Sequence, residues 1–463
     1  MHVNRLRSLL VPSELRRGMV VLVGAAAIAQ VIVVVSSPVI TRLYSPSELG
    51  AYAVALSMLS VLTTVACLRY EWAVPLPGED RSAASVLALC LVITAGMGLL
   101  ALIVLVPLGP SVLGIFGVSI VGPFAVLVAL GQVGGGFVLA FTSWAIRTRA
   151  FAEIAANRLT QSSALIATQI GLGLAHLGAT GLLVGAVVGC VAGSTRLAHA
   201  AWRTHASAFR QVTRADIWRA AGRYRRFPAF SAPSALLNAL GLEAPLLLLT
   251  ALLGTAVGGE YALAQRVVAL PVTLLSGAVV QVFVAESARL VRENPAGVRS
   301  LFVHTTQVLA VMSLVPFGLL AILAPLLAGP VFGDSWREAG LFVTILTPMY
   351  YLQLLASSTG GTLEVLERQD LEFVREMMRL CFYCAAALVA ATMYPSPIGT
   401  VGVLSIAGCL TYSFYGLTSW HAVVHHHERL PGGPGLEMCP EPASEQAASV
   451  VEAQATDAAR RPG

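Results

Sequence analysis

The chain has 463 residues, of which 56% are hydrophobic and 11% are charged, and its formal net charge is +5. About a quarter of the residues of a soluble globular protein are charged, so this composition excludes the soluble class and predicts a protein that faces lipid. The basic residues are all arginines in short connections, which argues against nucleic-acid binding and favours contact with anionic lipid head groups.

Apolar runs of about 20 residues recur along the whole chain, as in membrane-spanning helices. Spanning strands would be about 10 residues long and would alternate in polarity. We therefore predict an all-α polytopic membrane protein with about 12 transmembrane helices. The predicted spans are 19–40, 48–68, 84–107, 117–141, 158–177, 179–200, 229–253, 258–284, 301–325, 339–360, 375–393 and 398–422.

Arginines are frequent in every second connection and scarce in the others. Arg42 and Arg337 are the exceptions in the arginine-poor connections. The positive-inside rule places arginine-rich connections in the cytoplasm, and it therefore predicts that both termini are cytoplasmic.

The longest arginine-rich connection divides the chain into two halves of six spans. We predict an N-terminal six-helix lobe over 1–200, a C-terminal six-helix lobe over 229–425 and a disordered cytoplasmic tail over 426–463. Residues 201–228 form a basic linker with apolar residues at helical spacing, which predicts an amphipathic helix at the membrane surface. A binding site for a cytosolic partner is the alternative interpretation of this linker.

A short repeat relates the two halves. Both copies follow an arginine-poor turn, which indicates parallel repeats about an axis along the membrane normal. The matching residues are Gly50, Tyr52, Ala53 and Ala55 in the first half and Gly259, Tyr261, Ala262 and Ala264 in the second.

The sequence contains no motif typical of covalent catalysis or of a metal site. Cys381 and Cys384 form a C-x-x-C inside a predicted helix without further ligands nearby, so we interpret them as packing residues. The arginine-poor connections are too short for a catalytic domain. We expect no enzymatic activity, no cofactor and no metal.

Two ionisable residues lie deep within predicted spans. Glu243 precedes and Arg266 follows the same turn, which places both about 15–18 Å from the membrane surface and near the bilayer midplane. Such groups either pair with each other or face a polar cavity, and both alternatives stay open. Asn238 and Gln265 on the same spans either add polar lining or join helices.

Arg42 lies near the outer end of the first span, and Arg69 and Glu71 lie at the inner end of the second. Arg42 is near the arginine-poor end, where its side chain either reaches the interface or contributes to a transport path. Arg69 and Glu71 stand together at the arginine-rich end.

Several stretches resemble the polysaccharide (oligosaccharide) flippase family, the O-antigen-type translocases of the multidrug and polysaccharide exporter superfamily. The resemblance implies two six-helix lobes around a central cavity in the bacterial cytoplasmic membrane. It implies a polyprenyl-pyrophosphate-linked oligosaccharide as substrate, moved to the outer leaflet by alternating access, with membrane lipids and polymerase or glycosyltransferase machinery as partners. The resembling stretches include S-P-V-I-T-R-L-Y-S-P-S-E-L-G-A-Y, R-Y-E-W-A-V-P-L-P, F-P-A-F-S-A-P-S-A-L-L-N, G-E-Y-A-L-A-Q-R-V-V-A-L-P and F-G-D-S-W-R-E-A-G.

Given this resemblance, we expect Arg42, Arg69 and Arg266 to bind the pyrophosphate or line its path, because the arginine fork matches phosphate geometry. Glu71 and Glu243 would balance these charges, or would titrate if transport is coupled to an ion. A cation-coupled multidrug or metabolite exporter of the same superfamily is the alternative function. A membrane glycosyltransferase or polymerase is disfavoured by the short connections, and the loop motif of major-facilitator transporters is missing.

Overall fold

The computed structural model describes residues 13–118, 123–293, 295–366, 368–393 and 396–425. Helices dominate these residues, and no strand occurs among them. The tail predicted over 426–463 lies outside the described residues.

The N-terminal lobe contains six long helices and one short one. A capping box starts the third helix, since the Ser45 hydroxyl accepts from the Glu48 amide and the Glu48 carboxylate accepts from the Ser45 amide. The helices are α1 Ser13–Val35, α2 Ser37–Leu43, α3 Pro46–Thr64, α4 Asp80–Ile115, α5 Phe124–Arg147, α6 Phe151–Leu174 and α7 Gly178–Arg210.

A short amphipathic helix, α8 Arg214–Arg223, follows α7 and joins the lobes. It also begins with a capping box, here between Thr213 and Asp216. Its apolar side packs on the start of α4, while Trp218 is exposed.

The C-terminal lobe repeats the arrangement of six long helices. A π-helical turn, Phe227–Ser231, leads into its first helix. The helices are α9 Ala232–Leu253, α10 Thr255–Glu293, α11 Pro295–Phe332, α12 Arg337–Ser358, α13 Thr362–Val365, α14 Gln369–Met393 and α15 Pro397–His425.

Ten of the described helical segments are long and apolar enough to span a membrane. The two other long helices, α6 and α10, are more polar but pack within the bundle, α6 against α1 and α7 and α10 against α3 and α12. The predicted all-α, multi-pass membrane fold with about 12 spans in two six-helix lobes is therefore confirmed. The cytoplasmic placement of the termini stays a prediction.

Two span boundaries differ from those expected. Helix α4 continues through Pro107 and Pro110 to Ile115, where a connection was expected, because unpaired backbone groups are costly in lipid and a proline near a helix end removes few bonds. Helix α7 continues to Arg210 with a bend at His205, so part of the expected linker belongs to this helix.

Two large hydrophobic clusters lie mainly one in each lobe. The cluster around Val54 and Leu182 in the N-terminal lobe also includes Trp336, and the cluster around Phe342 and Leu346 in the C-terminal lobe also includes Ala53. A third cluster lies under α8 and includes Trp144. We call the end of the bundle that carries α8 and the arginine-rich connections the basic face, and the other end the opposite face.

Candidate functional site

The two lobes touch most closely where α3 crosses α10 near the opposite face. A Cβ atom on Gly50 would overlap the carbonyl oxygen of Thr255, and one on Gly259 would overlap the carbonyl oxygen of Pro46. Only glycine permits this approach of the two backbones. The glycines that the sequence repeat aligned thus pack against each other at the lobe interface.

A second contact between the lobes lies at the same face. Trp336 follows α11 in the 3₁₀ turn Asp334–Trp336 and is fully buried. Its indole Nε1–H donates to the carbonyl oxygen of Thr41 on α2 at 2.9 Å. The opposite face is therefore closed both by the glycine crossing and by this tryptophan.

A cavity of about 340 Å³ opens between the lobes beyond the glycine crossing. Helix α3 forms one wall, and α9, α10 and α12 form the others. Its polar lining residues are Tyr52, Ser57, Glu243, Gln265, Arg266 and Tyr350.

The charged groups of the cavity are not paired with each other. The Ser57 hydroxyl donates to Glu243 Oε2 at 2.6 Å, so α3 of one lobe is bonded to α9 of the other. Among the described residues, no carboxylate forms an ion pair with Arg266. An arginine within a membrane is costly unless it meets water or a partner, so its place on the cavity wall indicates a hydrated cavity.

The walls become more accessible toward the basic face. Near the glycine crossing, Leu49 and Leu246 are 2% and 6% exposed, whereas Leu56 and Leu242, farther along the same helices, are 38% and 50% exposed. The cavity is thus closed at the opposite face and widens toward the basic face.

Asn238 does not line this cavity. It lies one helical turn from Leu242 on α9, and both its backbone carbonyl and its side-chain Oδ1 accept from Arg379 Nη2, at 2.6 and 2.7 Å. Arg379 is almost completely buried and also pairs with Glu376. The amide of Asn238 therefore holds α9 to α14.

The same network contains a second buried arginine. Arg375 Nη2 donates to the Tyr415 carbonyl at 2.7 Å and to Ser419 Oγ at 2.8 Å, and the Tyr415 hydroxyl donates to Glu376 at 2.9 Å. The positive-inside pattern counted Arg375 and Arg379 with an arginine-rich connection, at the start of the predicted span 375–393, and the structure shows both to be buried. The sequence signal for this buried network was the spacing of the two arginines, one helical turn apart with Glu376 between them.

Arg69 and Glu71 lie at the basic face, outside the cavity. Arg69 has left-handed backbone dihedrals, its guanidinium lies 4.9 Å from the Trp72 ring centre, and its Nη1 is 3.6 Å from Glu71 Oε1. Glu71 is buried, and Oε2 has no hydrogen-bond partner. Burial raises the pKa of the Glu71 carboxyl, and its backbone hydrogen bond and Arg69 oppose this rise.

Arg42 lies near the end of α2 at the opposite face, with an exposed side chain. The structure therefore brings together three of the seven predicted site residues, Glu243, Gln265 and Arg266, and places the other four elsewhere. The roles of all seven in transport stay predictions.

Sequence reasoning missed Ser57 and the cavity tyrosines. Ser57 lies two helical turns after Gly50, and Tyr52 lies on the same side of α3. A serine and a tyrosine in an apolar helix are common and carry little signal alone. Among the described residues, no cluster of metal-ligating side chains was found.

Solved transporters share this fold at low sequence identity. An inward-facing multidrug resistance MATE family transporter of the MOP superfamily matches with a TM-score of 0.64 and 14% identity, over 91% of this chain and 97% of that chain. A Vibrio cholerae MATE transporter gives 0.60 and 13%, over 90% and 97%. A MOP superfamily transporter from Pyrococcus furiosus gives 0.54 and 12%, over 89% and 96%. These similarities establish the fold.

At the level of sequence, the chain matches proteins of polysaccharide biosynthesis. The teichuronic acid biosynthesis protein TuaB of Bacillus subtilis is 28% identical over 187 residues, which is 40% of this chain and 38% of that relative. The match thus spans less than half the length of either protein. The model of the family described as "Polysaccharide biosynthesis protein" matches residues 39–340, which include the cavity-lining helices α3, α9 and α10 but only the first turn of α12. The chain belongs to the polysaccharide biosynthesis protein family.

Proposed function

We propose that the protein moves a polyprenyl-pyrophosphate-linked oligosaccharide across the membrane by alternating access. The observation that carries this proposal is Arg266, a cation on the wall of a cavity between two lobes and without an acidic partner among the described residues. Family membership supports polysaccharide biosynthesis as the pathway class.

The chemistry of the cavity fits a pyrophosphate. Arginine donates paired hydrogen bonds to phosphate oxygens and keeps its charge at any physiological pH. The Gln265 amide and the hydroxyls of Tyr52 and Tyr350 line the same cavity and supply neutral donors. Glu243 is held by Ser57 on another wall, which leaves the Arg266 charge available to an anionic substrate.

The geometry of the lobes fits a state that is open to one side. If the basic face is cytoplasmic, as the positive-inside rule predicts, the cavity widens toward the cytoplasm, where such a substrate is assembled. The polyprenyl chain stays in lipid while the polar head enters the cavity. We assign Arg69 and Glu71 to the basic end of the path and Arg42 to the opposite end. Asn238 holds α9 in place.

A cation-coupled exporter is the second candidate, and Glu243 is the observation that favours it. Its carboxylate lies on the cavity wall, where it could bind a cationic substrate or a coupling ion. Ser57 supplies the only hydrogen bond that the described residues give to it, so one oxygen is free for a ligand.

Complementation of a flippase-deficient strain tests the proposal. We expect the wild-type gene to restore surface glycan, Arg266→Ala to reduce export at least about tenfold, and Arg266→Lys to retain part of it, because lysine keeps the charge but loses the paired geometry. Arg210→Ala is the matched control, since Arg210 is exposed at the end of α7. Full export by Arg266→Ala, at equal membrane abundance, would contradict the proposal.

A further inference from the structure

A second cavity, of about 420 Å³, lies at the basic face, away from the cavity between the lobes. The first turns of α4 form one side and α8 forms the other. Three arginines are part of its polar lining, Arg81 from α4 and Arg219 and Arg223 from α8. The other polar lining residues are Glu79, Ser82, Ser85, Asp216 and Tyr224.

Asp216 fixes the shape of this cavity. Its carboxylate accepts from the Thr213 amide at 3.0 Å, from the Thr213 hydroxyl at 2.8 Å and from Arg81 Nη2 at 3.0 Å, and it pairs with Arg219. Hydrogen bonds from Thr213 and Arg81 hold the pKa of the Asp216 carboxyl well below its usual range. Asp216 therefore stays ionised and clamps α8 against α4.

The cavity keeps an excess of positive charge. Asp216 is already satisfied by its own helix cap and by two arginines, and Glu79 is the only other carboxylate in the lining. The side chains of Arg81 and Arg219 are 48% and 75% exposed, so each has donors that face the cavity. Arg223 lies 5.5 Å from the ring centre of Tyr224, which limits its freedom.

The cavity lies at the depth of lipid head groups. Helix α4 has 36 residues and is about 54 Å long at 1.5 Å per residue, which exceeds the hydrocarbon core of about 30 Å. Its first turns must therefore leave the hydrocarbon. Trp218 on α8 is 78% exposed beside the cavity, and exposed tryptophans of membrane proteins favour the interface.

We propose that the cavity between α4 and α8 binds a phosphate group, and that an anionic membrane lipid supplies it. The arginines donate charge-assisted hydrogen bonds to the phosphate oxygens, and the Ser82 hydroxyl adds a neutral donor. The ligand ties the linker between the two lobes to the membrane surface. The site does not depend on what the central cavity transports.

Lipid retention by the purified full-length protein tests this site. Phosphatidylglycerol is titrated into the detergent-solubilised protein, and bound lipids are counted by native mass spectrometry. We expect Arg219→Gln with Arg223→Gln to weaken binding of one lipid about tenfold, since two charge-assisted hydrogen bonds are lost. Arg214→Gln with Arg225→Gln removes the same charge from exposed positions outside the cavity and should change binding less than about twofold.

Further arms identify the source of the phosphate and the outcomes that reject the site. Phosphatidylcholine should be retained more weakly than phosphatidylglycerol, and inorganic phosphate at millimolar concentration should not displace it. Displacement by inorganic phosphate alone would support the phosphate site but assign it to a soluble ligand. Equal losses in both double variants would show a general effect of surface charge and overturn the proposal, as would no loss in either. Gel filtration of each variant verifies that it is folded.

Discussion

Helices α3 and α10 occupy equivalent places in the two lobes and cross each other, yet they differ in what they add to the cavity. At the opposite face they are alike, with Gly50 and Gly259 in mutual contact. Two helical turns farther along, the equivalent positions hold Ser57 on α3 and Arg266 on α10. The closing contact is thus symmetric, while both charged residues of the cavity, Glu243 and Arg266, come from the C-terminal lobe.

This difference indicates a division of labour between the lobes. Under the proposed alternating access, a symmetric crossing would let the two lobes separate or close with little change inside each, because most residues of each large hydrophobic cluster come from one lobe. Under the proposed function, a single arginine at the cavity position would give the anion one defined contact. The C-terminal lobe carries most of the polar groups that line the cavity.

We expect the largest effect on export from substitutions at the glycine crossing. Gly50→Val and Gly259→Val should each abolish glycan export, because a branched side chain cannot fit between the two backbones and the closed state is lost. Equal effects at both positions are expected from the symmetry. The measurement is export in the complementation assay, combined with labelling of a Ser57→Cys reporter from the opposite side.

Gly171→Ala is the matched control for these variants, since a Cβ there meets no atom within 4 Å. It should leave export unchanged within about twofold. Export at the wild-type level by Gly50→Val would mean that the two helices need not touch during the cycle. Loss of export in only one of the two glycine variants would show that the crossing is not functionally symmetric.

We expect an intermediate effect on transport from a substitution of Glu243 in the cavity. Glutamine keeps an acceptor for the Ser57 hydroxyl and removes the charge. Export of an anionic substrate should survive Glu243→Gln within about threefold, or rise, because the field at Arg266 becomes more positive. A cation-coupled exporter should instead lose its activity.

The measurement is made in both assays, glycan export and efflux of a cationic dye. Ser57→Ala is the companion variant, because it removes the hydrogen bond that Glu243→Gln can keep and leaves the Glu243 charge. Loss of glycan export in Glu243→Gln but not in Ser57→Ala would favour ion coupling through the carboxylate. In that case Arg266 could act in transport only together with the Glu243 carboxylate.

Sequence reasoning reached the spans and the matching depth of Glu243 and Arg266, because hydropathy and rise per residue determine both. It could not decide whether these residues pair, because that depends on how α9 and α10 are rotated about their axes. The rotation is set by packing, here by the glycine crossing and by the bonds of Arg379 to Asn238.

At the basic face, the sequence predicts where the arginines lie but not what they contact. The positive-inside rule explains why Arg69, Arg81 and Arg219 are where they are, but not what each contacts. The structure places Arg81 and Arg219 on Asp216 and Arg69 on Glu71. An arginine that follows the positive-inside rule can also form a specific ion pair, and the rule does not reveal that pair.

The smallest expected effect is at the end of α3, where the two equivalent helices differ again. Helix α3 stops at Thr64 and turns through Arg69 to the buried Glu71, whereas α10 runs on to Glu293. Because burial raises the pKa of Glu71 in the folded protein, the ionised carboxyl favours unfolding. This destabilisation begins above the pKa of an unfolded glutamate, about 4.3, and increases until pH passes the folded value.

Glu71→Gln removes that ionisation. We expect its melting temperature to exceed that of the wild type at pH 8 by about 1–2 °C, and the difference to shrink at pH 5, measured in detergent by thermal denaturation. Glu153→Gln is the control, because Glu153 belongs to an exposed pair with Arg196 and its replacement should change the melting temperature little. A lower melting temperature of Glu71→Gln at pH 8 would mean that the ion pair with Arg69 outweighs the cost of burial. In that case the basic end of α3 would be held by charge, unlike the glycine contact at its other end.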